Sequence, residues 1–137
     1  MPEIREIMTK APFFLSQQAN VNRARMLMAE KKIRHIPIKD AETGKLIGIL
    51  GQKAVLANAI SIVSQHGFEQ LVHREKSIDI ASIMNTQPDI AQADTPVYQV
   101  ADLLLHQRNG CVAILENEKL VGIVTSRDFV KLAANNI

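Results

Sequence analysis

The sequence predicts an α/β fold of the mixed α+β type, with two β-α-β-β-α repeats packed about a pseudo-twofold axis. Two observations support this prediction. The chain of 137 residues contains an internal repeat, and both copies show the same succession of hydrophobic patterns. A copy of roughly 60 residues is marginal as an isolated domain, so we expect the two copies to bury a core together.

The repeat is found by sliding the chain against itself by 76 residues. The pairs that match at this offset are Ile7-Met8 with Ile83-Met84, Pro12 with Pro88, Val21 with Val97, and Ile38 with Ile114. After a two-residue gap in a polar turn, the matching pairs are Lys45-Leu46 with Lys119-Leu120, and Gly48-Ile49 with Gly122-Ile123. We therefore predict two domains, residues 1–76 (first repeat plus a linker helix) and residues 77–137 (second repeat).

Each copy predicts a short helix, a proline-led strand, an amphipathic helix, a two-stranded hairpin and a last helix. Asn20 is placed to cap the first amphipathic helix, and Pro96 stands at the first helical position of the second. In the linker, 58–76, the apolar pattern predicts that the last helix continues or restarts near Gly67. The predicted bounds are 4–8, 12–16, a helix from 21, 35–38 and 46–50 in the first copy, and 78–84, 88–92, a helix from 97, 111–115 and 120–124 in the second.

The composition excludes several classes of protein. A hydrophobic content of 47% with 22% charged residues is typical of a globular chain and excludes a disordered one. A formal net charge of +2 is too small to indicate an acidic partner. Cys111 is the only cysteine, which precludes an intrachain disulfide and favours a reducing, cytoplasmic location. No stretch approaches the roughly 18 apolar residues of a membrane span.

Motifs of enzymes are absent, so we predict that the protein is not an enzyme. Neither G-x-G-x-x-G nor G-x-S-x-G occurs in the sequence. His66, Glu69 and His73 could share one helical face and hold a metal, but no fourth ligand lies nearby in sequence. A solvated face of the linker helix is therefore the favoured interpretation, and no metal site is predicted. Cys111 opens an apolar strand and is interpreted as a buried core thiol.

The most informative segment is Gly122-Ile-Val-Thr-Ser-Arg-Asp128, in which a strand runs into the start of a helix. Thr125 and Asp128 have the spacing of a helix capping box, which is a purely structural explanation. The same turn also suits a ligand, because its backbone N–H groups favour an anion and an ionised Asp can accept from both hydroxyls of a ribose. The first copy has Gly51 and Ala54 instead, so folding alone does not demand the Thr-Asp pair.

The two copies also differ in a basic segment, which is present in the first copy and absent from the second. The first copy enters its hairpin through the basic run Lys31–His35, whereas the second has the weakly charged segment 107–111. Solvated charge at a helix end explains the basic run in isolation. In a pseudo-twofold module, however, Arg34 and His35 would meet the Thr-Asp turn of the other copy. We therefore expect one competent site and one degraded site.

These residues resemble a known family, the tandem CBS domain pair or Bateman module, over nearly the whole chain. The motifs that carry the resemblance are Ile7-Met8-Thr9, Ile83-Met84-Asn85, Ile36-Pro37-Ile38, and Gly-h-h-Thr-x-x-Asp at 122–128. The resemblance implies a regulatory role. The cleft between the repeats would bind an adenosine-containing ligand such as AMP, ADP, ATP or S-adenosylmethionine, and modules would form homodimers.

The resemblance also implies roles for individual residues. Thr125 and Asp128 match ribose-binding positions, and Ser126 and Arg127 stand where phosphate is often contacted. Arg34 and His35 match a basic pair that reaches phosphate from the opposing repeat in some members. The segment that would hold the base runs from Met84 to Ile90 and includes Met84, Asn85, Thr86, Pro88 and Ile90.

Two functions follow as alternatives. The first is a ligand-sensing module that binds an adenine nucleotide and signals by a change in repeat or dimer geometry, read by the dimer or by a protein partner in trans. The second is a ligand-independent dimerisation or protein-interaction module. The sequence does not favour nucleic acid as a partner, because the basic run is short and Tyr98, the lone Tyr, is not interleaved with it.

Overall fold

The computed structural model describes residues 2–135 and divides into two compact units. Unit 1 contains the chain up to Pro12 and the chain from Gln87 onward, and unit 2 contains Phe13–Thr86. The strands and helices are β1 (Thr9–Lys10), β2 (Leu15–Ser16), α1 (Val21–Lys31), β3 (His35–Lys39), β4 (Leu46–Gly51), α2 (Gln52–His66), α3 (Leu71–Glu75), β5 (Asp89–Gln92), α4 (Val97–His106), β6 (Cys111–Glu116), β7 (Lys119–Thr125) and α5 (Ser126–Asn135). Short 3-10 helices cover Ile4–Glu6, Phe68–Gln70 and Ile80–Ser82. None of the helices formed by residues 2–135 is both long enough and apolar enough to cross a bilayer.

Unit 2 is built on the three-stranded sheet β2-β3-β4, in which β2 runs parallel to β3 and β3 antiparallel to β4. Helix α1 buries one apolar face whose residues recur at helical spacing, namely Val21, Ala24, Leu27 and Met28. The helix begins where predicted, because the side-chain oxygen of Asn20 accepts a hydrogen bond from the Arg23 amide at 2.8 Å.

The linker that follows α2 also forms as predicted. Helix α2 ends at His66, and Gly67 adopts φ +89, a backbone conformation that favours glycine. The chain then restarts as a 3-10 turn and α3. The fully buried carboxylate of Glu75 accepts from Arg25 Nε at 2.8 Å and from Asn22 Nδ2 at 3.0 Å, which fixes α3 against α1.

Unit 1 is built on the four-stranded sheet β1-β7-β6-β5. Strand β5 runs parallel to β6, and β6 and β7 form the predicted hairpin. Helix α4 begins at Val97, so Pro96 is its N-cap and not its first helical residue as predicted. The two units therefore follow the orders β2-α1-β3-β4-α2 and β5-α4-β6-β7-α5, which confirms the predicted α/β fold class.

The short segment before each repeat packs away from the repeat that it precedes in sequence. Ile4 is buried in the core of unit 1, and its amide donates to the Thr95 carbonyl at 2.8 Å. Ile80 is buried in the core of unit 2, and its amide donates to the Ala19 carbonyl at 2.9 Å. The compact units thus cut across the sequence division predicted at residue 76. The predicted helices 4–8 and 78–84 form only as three-residue 3-10 helices, which suffices to place one isoleucine in each core.

Candidate functional site

The turn between β7 and α5, Thr125–Asp128, holds a nearly buried carboxylate. Strand β7 ends at Thr125 and α5 begins at Ser126, so Asp128 lies in the first turn of the helix. Asp128 is only 6% exposed. Ser126 and Arg127 are exposed. A carboxylate so placed at a helix N-terminus is favoured by the helix dipole.

Two hydrogen bonds satisfy the carboxylate of Asp128, one on each oxygen. Its Oδ2 accepts from the backbone amide of Thr125 at 2.9 Å, which is one half of the predicted capping box. Its Oδ1 accepts from the hydroxyl of Thr9 at 2.8 Å. Within the described part of unit 1, no Lys, Arg or His forms an ion pair with Asp128. An ionised carboxylate offers about four lone-pair positions, so Asp128 retains acceptor capacity for two further donors.

Thr9 reaches Asp128 because β1 pairs antiparallel with β7. The register places Thr9 opposite Ile123 and Lys10 opposite Gly122. A Cβ atom on Gly122 would lie 2.5 Å from Met8 Sδ and 2.9 Å from the carbonyl oxygen of Thr9. Glycine at this position therefore permits the close approach that brings the Thr9 hydroxyl to the carboxylate.

Cys111 lies next to this turn, since it pairs with Thr125 across the β6–β7 hairpin. The side chain is buried, as predicted for a core thiol. Burial, and to a lesser extent the charges of Asp128 and Asp89, raise the pKa of the Cys111 thiol from 9.0 to about 12. The protonated thiol has no nucleophilic character at neutral pH.

The turn in unit 2 that corresponds by the repeat is Gly51–Ala54, between β4 and α2. Gly51 is the N-cap of α2 and makes no side-chain capping bond. It pairs with His35, where unit 1 has Cys111 opposite Thr125. Ala54, at the position of Asp128, packs against the core of unit 2. This turn therefore offers no carboxylate.

The remaining predicted site residues divide between the units. In unit 1, Ile90 of β5 lies opposite Ala113 of β6. In unit 2, the carbonyl oxygen of Arg34 accepts from the Gln52 amide at 2.8 Å. The residues that belong to unit 1 are Pro88, Ile90, Thr125, Ser126, Arg127 and Asp128, and those that belong to unit 2 are Arg34, His35, Met84, Asn85 and Thr86.

Met84 and Asn85 pack within unit 2 as Met8 and Thr9 do within unit 1. Asn85 and Ile49 exchange two backbone hydrogen bonds of 3.0 and 2.9 Å. A Cβ atom on Gly48 would lie 2.7 Å from the Asn85 carbonyl oxygen. By the repeat, Asn85 is thus the counterpart of Thr9.

The two repeats account for the match with a known family. The family profile of the CBS domain matches residues 4–71 and 80–135. The chain belongs to the CBS domain family. This confirms the resemblance inferred from the sequence motifs.

Solved structures of CBS proteins resemble the whole chain. A protein assigned to acetoin utilization, AcuB from Vibrio cholerae, is 29% identical with a TM-score of 0.82, over 99% of this chain and 93% of that one. The CBS domain pair of protein MJ0100, solved with 5'-methylthioadenosine and S-adenosyl-L-methionine, is 25% identical with a TM-score of 0.79. That match covers 100% of this chain and 99% of the other.

A curated relative is a much longer protein. The A-adding tRNA nucleotidyltransferase of Aquifex aeolicus is 25% identical over 135 residues, which is 98% of this chain and 15% of that enzyme. The similarity therefore concerns a small part of the enzyme.

In this CBS pair, the possible metal ligands of the linker do not converge. His66 ends α2, Glu69 lies in the 3-10 turn and His73 lies in α3. Among residues 2–135, no group of three His, Cys, Asp or Glu side chains is placed to hold a metal ion.

Sequence analysis of the CBS repeats missed Thr9 as a partner of Asp128. A signal was available, since Thr9 aligns with Asn85 at the offset of the repeat and Asn85 had been assigned to the site. What the sequence could not give was the pairing of β1 with β7.

Proposed function

We propose that this CBS pair is a regulatory module that binds an adenosine-containing ligand through the carboxylate of Asp128. The observation that carries the proposal is the state of this carboxylate: 6% exposed, held by one donor on each oxygen, and with acceptor capacity left for a vicinal diol. A hydrogen bond from a hydroxyl to an ionised carboxylate is stronger than one between neutral groups. The two hydroxyls of a ribose supply the two donors.

The comparisons support an adenosine ligand without specifying it. The related CBS pair of MJ0100 binds two adenosine compounds, 5'-methylthioadenosine and S-adenosyl-L-methionine. Our proposal takes the same class, AMP, ADP, ATP or S-adenosylmethionine, as the ligand of this chain. The assignments of Ser126, Arg127, Arg34 and His35 to phosphate stay predictions.

The assignment of 84–90 to the base likewise stays a prediction. Ligand contacts would favour one relative orientation of the repeats, and a homodimer or a protein partner in trans would read that orientation. No catalytic step is assigned to the module. Its cytoplasmic location also stays a prediction, based on the single cysteine.

A thermal-shift screen with AMP, ADP, ATP and S-adenosylmethionine tests the proposal. A ligand at about one hundred times its dissociation constant stabilises the folded state by about 2.7 kcal/mol, which raises Tm by several degrees. We expect this shift in the wild type and its loss in Asp128→Ala. Asp94→Ala, which removes an exposed carboxylate of the same unit, is the matched control and should keep the shift.

The alternative function, a ligand-independent dimerisation or interaction module, makes the opposite prediction. A wild-type protein whose Tm does not respond to any of the four compounds, and which is a dimer in solution, would favour it over the sensor.

A further inference from the structure

We propose that Thr9 is a positioning residue of the ligand site, whose hydroxyl holds the Asp128 carboxylate in the orientation that accepts a diol. This inference rests on the proposed function. Its direct observation is the hydrogen bond of 2.8 Å from Thr9 Oγ1 to Asp128 Oδ1, which joins residues 119 positions apart in sequence.

The Thr9 hydroxyl holds the oxygen of Asp128 that the turn itself leaves without a donor. The Thr125 amide fixes only Oδ2, through the backbone of the same turn. Without Thr9, Oδ1 would have no donor within unit 1 among the described residues, and the carboxylate would be held through Oδ2 alone. A carboxylate that is held at one oxygen only must be ordered further when the ligand binds, which lowers the affinity. The hydrogen bond from Thr9 orders the carboxylate before the ligand binds.

Thr9 is itself held by an extensive attachment of the N-terminal segment to unit 1. Ile4 is fully buried there. Arg5 Nη1 donates to Glu116 Oε2 at 2.9 Å, and β1 pairs with β7 next to Gly122. The segment therefore delivers the Thr9 hydroxyl to Asp128 from a fixed backbone, so that ligand affinity and attachment of this segment are thermodynamically coupled.

The other unit supports the same assignment by contrast. Asn85 occupies the place of Thr9, with the same backbone pairing to the neighbouring strand. The position of Asp128 is Ala54 in that unit. The threonine hydroxyl and the carboxylate thus occur together in one unit and are both replaced in the other.

The test compares Thr9→Val, which keeps the shape and removes the hydroxyl, with Thr9→Ser, which restores a hydroxyl. Calorimetric titration with AMP and with S-adenosylmethionine gives the affinity of each variant. We expect Thr9→Val to weaken binding by about 10-fold or more, since the carboxylate is no longer held in the orientation that accepts the diol, and Thr9→Ser to stay within about 3-fold of the wild type. Thr95→Val is the matched control, because its hydroxyl accepts from the Gln92 amide and does not touch Asp128.

A second measurement needs no ligand. Hydrogen exchange of the Thr125 amide, which donates to Asp128 Oδ2, should accelerate in ligand-free Thr9→Val and remain slow in Thr9→Ser. A variant that is simply less stable would accelerate exchange throughout its unit, and Thr95→Val reveals that pattern.

The outcomes separate this inference from the proposed function. If the wild type binds a probe, Asp128→Ala does not, and Thr9→Val binds as the wild type does, the positioning role is overturned and the proposed function stands. If the wild type binds neither probe and none of the four compounds of the thermal-shift screen raises its Tm, the proposed function fails. The exchange of the Thr125 amide then decides whether Thr9 holds Asp128, and an unchanged rate in Thr9→Val overturns that role as well.

Discussion

The two strand-to-helix turns of this CBS pair differ in their side chains, although in each of them a helix follows its strand directly. Thr125–Asp128 leads from β7 into α5, and Gly51–Ala54 leads from β4 into α2. The second turn starts a helix of fifteen residues with no side-chain capping bond. Formation of the turn therefore does not require a threonine or a carboxylate. The fold therefore does not require the buried Asp128 or the hydrogen bond that it accepts from Thr9.

The free energy of unfolding should depend most strongly on a residue that pairs with one of the turns across its hairpin. This residue is Cys111 in unit 1, and its counterpart in unit 2 is His35. The pKa of the Cys111 thiol is raised from 9.0 to about 12 in the folded protein, so its contribution to stability is fully present below pH 9 and is lost as the pH rises towards 12. The free energy of unfolding should therefore fall with a slope of up to about 1.4 kcal/mol per pH unit in this window.

Urea denaturation at several pH values measures this slope. Other groups titrate equally in Cys111→Ala, so the difference between wild type and variant isolates the thiol. An equal slope in both proteins would contradict the account of a deeply buried, protonated Cys111.

A carboxylate placed in the other turn should destabilise the protein. Ala54→Asp puts a charge against the core of unit 2 with Asn85, not threonine, at the position of Thr9. We expect a loss of about 1–3 kcal/mol in the free energy of unfolding. Adding Asn85→Thr should restore about 1 kcal/mol by placing a hydroxyl at the position from which Thr9 donates to Asp128 in unit 1. Chemical denaturation of both variants checks this, and a double variant no more stable than Ala54→Asp would show that the threonine is not the stabilising partner.

Replacing Gly122 or Gly48 by alanine should destabilise the protein, because each glycine lies in close contact with a neighbouring backbone segment. A Cβ on Gly48 would meet the Asn85 carbonyl oxygen at 2.7 Å, and one on Gly122 would meet Met8 Sδ at 2.5 Å and the Thr9 carbonyl oxygen at 2.9 Å. Each Gly→Ala change should cost about 1–3 kcal/mol, as overpacking does. Thermal denaturation measures the cost, and only Gly122→Ala should also accelerate exchange of the Thr125 amide. Acceleration in Gly48→Ala as well would contradict the assignment of this effect to the contact between Gly122 and the Met8–Thr9 segment.

The smallest change in the free energy of unfolding is expected at the N-terminus of α1, which is capped differently from that of α4. Helix α1 is capped by the Asn20 side chain, whereas α4 starts after Pro96 with no side-chain cap. Asn20→Ala should reduce the free energy of unfolding by about 1 kcal/mol, and Asn20→Asp should preserve it, since Asp can accept the same amide bond. Equal losses in both variants would indicate that Asn20 acts otherwise than as a cap.

The sequence predicted what depends on local pattern. The helix start at Asn20, the restart of the linker after Gly67, both hairpins and the burial of Cys111 are each set by neighbouring residues or by alternation along one strand. The contact between Thr9 and Asp128 could not be predicted in this way. Periodicity indicates that a residue is buried. The partner of Asp128 lies over one hundred positions away, on a two-residue strand just after the predicted helix 4–8, in a segment for which no element was predicted.

Isothermal titration of the wild type and Asp128→Asn with AMP and with S-adenosylmethionine directly measures whether the Asp128 carboxylate binds the ligand. Asp128→Asn keeps the size of the side chain and removes its charge. We expect one ligand per chain in the wild type, because only one of the two turns has the carboxylate, and an affinity reduced by about 10-fold or more in the variant. Two ligands per chain, or undiminished binding by Asp128→Asn, would contradict this expectation.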